Sequence, residues 1–146
     1  MKTRNLLLLL LAFLGLGAIF GGAVLIISPS GALFGMPLSM LEFSPFTSFL
    51  IPGIILFSML GLTPCLLIAA LIKKPVWKIG DQLNFFTDMH WSWSGTIYVA
   101  FALIGWIQIE MIFLHAVHWS NTLYMGIGLV ILFVALLPQV RLLYKK

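Results

Sequence analysis

Four long stretches of the chain are almost free of charge, and polar residues gather in the segments between them. They run from Leu6 to Ile27, Pro45 to Ile72, Thr96 to Trp119 and Leu123 to Leu143, the last carrying Pro138 as an internal kink. The hydrocarbon core of a bilayer is about 30 Å thick and takes about 20 residues of helix, so each stretch is long enough to cross. Apolar residues follow one another without alternation, which excludes barrel strands, and amides in lipid must then be satisfied within helices. The pattern predicts an all-α integral membrane four-helix bundle in one membrane domain over 1–146, with helices at 6–27, 45–72, 96–119 and 123–143. An outer loop covers 28–44 and a cytoplasmic loop 73–95.

Composition supports lipid as the solvent. Hydrophobic residues make up 62% of the 146 and charged residues 8%, against about 25% charged in a soluble domain, and the mean hydropathy is +1.14. A water-soluble globule and a disordered chain are both excluded. The first stretch follows a basic start, as a signal peptide does. Its apolar run exceeds twenty residues, whereas a signal core has about 7–15, so it reads as an uncleaved helix.

Charge sets the orientation. Lys2, Arg4, Lys73, Lys74, Lys78, Arg141, Lys145 and Lys146 all fall on one side of the predicted spans. By the positive-inside rule both termini are expected in the cytoplasm, with the protein in the cell (inner) membrane. The net charge of +4 is thus a topology signal and an attraction for anionic lipid headgroups, and it implies no nucleic acid. Trp77, Trp91, Trp93 and Tyr144 are expected at the cytoplasmic boundary, and Trp119 and Tyr124 at the other.

Helix one carries Gly15, Gly17, Ala18, Gly21 and Gly22, small residues that let backbones approach in lipid. They serve either packing within the bundle or an interface with a second copy or a membrane partner subunit. Pro52 and Pro64 in helix two each remove a backbone donor and are expected to kink it. In the outer loop Pro37 is placed to open a short helix and Ser44 to cap helix two. Leu38, Met40, Leu41, Phe43 and Phe46 are too apolar for a solvated loop, so this segment should lie in the interface or fold back over the bundle.

The order Pro29-Ser30-Gly31, Gly35-Met36-Pro37, Ser44-Pro45-Phe46 and Phe49-Leu50-Ile51-Pro52-Gly53 resembles an uncharacterised family of small four-helix bacterial membrane proteins. The similarity continues more weakly through Trp91-Ser92-Trp93-Ser94-Gly95, Trp106-Ile107, Gln108 and Leu136-Leu137-Pro138. The resemblance implies a four-helix architecture and a structured outer loop, and it implies no activity. Ser28 departs from it, standing where relatives look acidic, as does the histidine-rich outer end of helix three.

Chemistry concentrates on Glu110, which falls near the bilayer centre with no Lys or Arg at matching depth. A charged carboxylate there costs at least about 2.5–3.5 kcal/mol. The sequence therefore predicts a carboxyl that is protonated much of the time, bonded to a neighbour such as Ser58, or cycling protons as part of a carrier. The candidate polar site is Glu110, Gln108, His115 and Ser58. On a helix Gln108 and His115 lie about 20° apart, whereas Glu110 points about 160° away from Gln108, so one straight helix cannot gather all of them. His115 and His118 are weak metal candidates because His90 lies a membrane thickness away and the other spans hold no histidine. No metal or cofactor is expected. Cys65 has no thiol partner, and hydrolase and phosphate-loop motifs are absent. These features predict a noncatalytic packing, accessory or oligomeric membrane protein. The alternatives are a proton- or cation-linked carrier centred on Glu110 and a binder of lipid or another apolar ligand between helices two and three.

Overall fold

A computed structural model describes residues 2–34, 42, 44–114 and 119–146. Four helices are long and apolar enough to cross a membrane: α1 (Thr3–Ile27), α2 (Leu50–Lys73), α4 (Trp91–Leu114) and α5 (Trp119–Leu136). A short helix, α3 (Lys78–Gln82), lies between α2 and α4, and α6 (Pro138–Tyr144) closes the chain. Helix α1 packs against α2 and α5, and α4 packs against the same two, so the four form a ring with α1 and α4 on its diagonal. The chain is an all-α membrane protein.

On α1, Leu7, Leu11, Leu14, Ala18 and Leu25 are buried, while Leu9, Phe13, Leu16 and Phe20 stand exposed on the other side. With Gly22 also buried, the set recurs every three or four residues, as one face of a helix must. In lipid the exposed face needs no polar residues, so both faces are leucine-rich and packing alone separates them. Gly15 and Gly22 make the closest approach. A Cβ on Gly22 would meet the Phe57 amide nitrogen at 2.7 Å and the Gly53 carbonyl at 2.8 Å, and one on Gly15 would meet the Cys65 sulfur at 2.8 Å. Gly17 faces α5, where the Tyr124 hydroxyl fills the space, and Gly21 is in ordinary contact with Leu56. This small-residue face is thus covered within the chain.

Helix α2 begins at Leu50, five residues later than the sequence pattern predicts. Ser44 does not cap it. Its hydroxyl accepts the Phe46 amide at 3.2 Å in a turn, and Ser48 accepts the Leu50 amide at 3.3 Å. The Phe49 amide donates to the Pro29 carbonyl at 2.8 Å, folding residues 44–49 back onto the end of α1. Pro52 consequently falls in the first turn, where an amide has no helical acceptor to lose, so it does not interrupt the helix. Ahead of Pro64 the helix widens into a π-segment, Leu56–Leu62. There the Thr63 amide and hydroxyl both donate to the Ser58 carbonyl five residues back. The irregularity is taken up as a widened turn.

Helix α4 starts at Trp91, five residues before the predicted Thr96, because its serines find partners nearby. Ser94 donates to the Asn84 carboxamide oxygen, Thr96 to the Ser92 carbonyl at 3.0 Å, and Ser92 to His90. Trp93 is buried rather than interfacial, and its indole nitrogen donates to the Ala135 carbonyl at 2.8 Å. Helix α5 ends at Leu136, which corrects the single kinked helix expected to reach Leu143. Leu137 is extended (ψ 141°) and Pro138 opens a separate helix, since proline disfavours helical geometry in the residue before it and suits a first helical position.

The two ends of the chain meet. Thr3 donates to the Gln139 side-chain oxygen at 2.6 Å, Lys74 to the Leu143 carbonyl, and Lys146 pairs with Asp81 at 3.4 Å. All eight basic residues therefore gather at one end of the bundle, and the turn after α1 lies at the other.

Candidate functional site

At the end away from the basic residues, α1, α2 and α4 separate enough to leave a cavity of about 110 Å³, open along part of its wall. Leu25 comes from α1, Pro52 and Leu56 from α2, and Trp106, Ile109, Glu110 and Phe113 from α4. Ser44, Phe46 and Phe49 reach it from the returning segment. Each placement has a local cause. Pro52 and Leu56 are one helical turn apart, as are Trp106, Ile109, Glu110 and Phe113 at three- and four-residue spacing. Phe49 is held by the hydrogen bond that its backbone N–H donates to the Pro29 carbonyl, and it packs with Leu25 and Phe46. The wall is aromatic and aliphatic, with oxygen-bearing side chains at Ser44 and Glu110.

Glu110 is half-buried and faces this cavity, whereas Gln108 is exposed on another side of α4, as two-residue spacing on a helix requires. Ser58 is exposed and bonded within its own helix, to the Ile54 carbonyl at 2.8 Å. It does not line the cavity with Glu110, so the expected Glu110–Ser58 grouping is not assembled. His115 and His118, with the loop's Gly35, Met36 and Pro37, lie outside the described residues. No three His, Cys, Asp or Glu side chains come together among the described residues. The sequence reading missed Trp106 and Phe49 as wall residues. Phe49 had a signal: it stands three residues after Phe46 in a segment too apolar for a loop.

A second constellation sits at the basic end. Asn84 donates through its amide nitrogen to the Met89 carbonyl at 2.7 Å and accepts from the Phe86 amide and Ser94. His90 Nε2 is 3.2 Å from the Pro75 carbonyl, which can only accept, so that nitrogen carries the proton. Its Nδ1 then accepts from the Ser92 hydroxyl at 2.7 Å and the Ser92 amide at 3.2 Å. Burial pushes the His90 pKa below the ordinary 6.5, with Lys146 and Lys74 acting the same way and the Pro75 bond and Asp81 opposing. Burial raises the Tyr144 phenol above its usual value, partly offset by Arg4. Every buried side-chain nitrogen and oxygen among the described residues has a partner, so this network reads as a structural clasp.

These four apolar helices, with their hydrogen bonding completed internally, define a small multi-pass membrane protein. The chain matches no family model, no curated protein and no solved structure. The outer-loop resemblance therefore stands on its motifs alone and assigns no family.

Proposed function

We propose that this protein is a noncatalytic membrane protein that holds the apolar part of a lipid or comparable hydrophobic ligand between α2, α4 and the returning segment 44–49. One observation carries the reading: a partly open cavity whose wall is built from Phe46, Phe49, Trp106, Phe113 and aliphatic neighbours. A void lined by such side chains forfeits dispersion contacts, and its volume compares with the roughly 150 Å³ apolar cavity that takes benzene. A ring or a short stretch of acyl chain restores those contacts. Because lipid tails are as apolar as the wall, shape and aromatic packing provide the selection. The carrier reading has less support, since Gln108 and Ser58 do not line the cavity with Glu110. The basic end is proposed to face the cytoplasm of a cell (inner) membrane.

The test is photolabelling in bilayers with a diazirine-bearing fatty acyl lipid, mapped by peptide mass spectrometry. Label should concentrate on 44–57 and 103–114, vanish in Leu56→Trp, which fills the cavity, and persist in Leu66→Trp on the exposed face of α2. Equal labelling around Leu16 and Phe20, both exposed on α1, would sink the proposal.

A further inference from the structure

At the basic end lies a larger, polar cleft of about 420 Å³ between the start of α1 and α6, lined by Lys2, Thr3, Arg4, Gln139 and Leu143. We propose that this cleft seats the phosphate of an anionic phospholipid.

The lining holds two cations and no carboxylate. Elsewhere in the chain, Asp81 is engaged by Lys146, and Glu110 lines the cavity among α1, α2 and α4. Asp88, whose backbone carbonyl accepts the Lys146 amide, forms no ion pair among the described residues, and Glu42 follows α1 in the turn at the other end of the bundle. Lys2 and Arg4 form no ion pair among the described residues. Of the other basic residues at this end, Lys146 is committed to Asp81 and Lys74 to the Leu143 carbonyl and the Tyr144 ring, while Lys73, Lys78, Arg141 and Lys145 do not line the cleft. The charge at the cleft is therefore available to a ligand.

The neutral groups fit an anion too. Thr3 donates to the Gln139 side-chain oxygen, which orients the carboxamide and leaves its NH₂ group, with two protons to donate, unbonded among the described residues. An arginine fork, a lysine ammonium and an amide together match the several oxygens of a phosphate. Leu143 supplies an apolar wall on the same cleft. The site sits where the spans begin and end, which is headgroup depth, so a phospholipid presents its phosphate there while its chains follow the helices. A free anion would have no use for Leu143 or for this position.

The experiment titrates the full-length protein in neutral detergent with dioctanoyl phosphatidylglycerol, dioctanoyl phosphatidylcholine and inorganic phosphate, reading bound stoichiometry by native mass spectrometry. The glycerol lipid should bind at one per chain and at least tenfold more tightly than the choline lipid. Lys2→Gln with Arg4→Gln should weaken it by roughly 30-fold, as expected for two surface charges at about fivefold each. Lys73→Gln with Lys78→Gln, which removes two charges outside the cleft, should leave it unchanged. Because basic residues near the first span also direct insertion, Gln139→Glu gives a second measurement that keeps them all; it places a carboxylate in the cleft and should weaken binding comparably. Unaltered binding in Gln139→Glu, equal loss in the Lys73/Lys78 control, or displacement of the lipid by equimolar inorganic phosphate would each overturn the proposal.

Discussion

The Tyr144 hydroxyl donates to the Leu71 carbonyl at 2.8 Å, the acceptor whose helical partner would be the amide of residue 75, a proline. The last turn of the chain thus supplies the proton that Pro75 lacks, and Tyr144 is 1% exposed. Trp93 does the like for Ala135 at the end of α5. In this protein two helix ends are completed by aromatic donors from elements distant in sequence.

Removing that donor leaves a buried carbonyl unsatisfied. Tyr144→Phe is expected to destabilise the folded protein by about 1–2 kcal/mol, seen as a lower midpoint of thermal unfolding in detergent. An unchanged midpoint would mean that water already reaches Leu71.

Close backbone approach makes Gly22 intolerant of any side chain. Gly22→Ala should cost about 1–3 kcal/mol, because the methyl meets backbone atoms of Gly53 and Phe57 that cannot step aside. Gly126 has nothing within 4 Å of a Cβ, so Gly126→Ala should be neutral or stabilising by up to about 1 kcal/mol. Equal effects at both positions would contradict this account of the α1–α2 contact.

His90 ties stability to pH. Its folded pKa lies below the unfolded 6.5, so between the two values the unfolded chain binds more protons and folding stability falls as pH drops. The loss begins near the unfolded value and levels off once pH passes below the folded one. Protonation also turns Nδ1 from acceptor to donor, which breaks the bond from the Ser92 amide and reverses the one with the Ser92 hydroxyl. His90→Asn should shrink the difference in unfolding midpoint between pH 7.5 and 5.5, and an undiminished difference would assign it to other groups.

If Glu110 serves the wall of a binding cavity, proteoliposomes carrying wild type and Glu110→Gln should show the same pH-dependent ion flux. A flux lost in Glu110→Gln would make carriage the better reading.

The topology is checked by single-cysteine accessibility in a Cys65→Ala background. Cysteines at 2 and 146 should react from one face, the cytoplasmic one, and a cysteine at 42 from the other; reaction of 42 and 74 from a common face would dismantle the four-span arrangement.

The sequence alone determined the number of crossings, their helical nature and the segregation of every lysine and arginine to one end. Those properties are local: a span needs about twenty apolar residues, and each is visible without knowing its neighbours. The separation of Glu110 from Gln108 was equally legible, since helical geometry puts residues two apart on different sides. Tertiary structure alone decided which face of each helix turns inward, because spans that are apolar all round carry no polar stripe to mark the outside. It also decided that Trp93 and Tyr144 turn inward instead of joining the interfacial belt. The reason is that a carbonyl left without its donor by a helix end or a proline takes whichever donor packing brings within reach, here one 42 residues away and another 73.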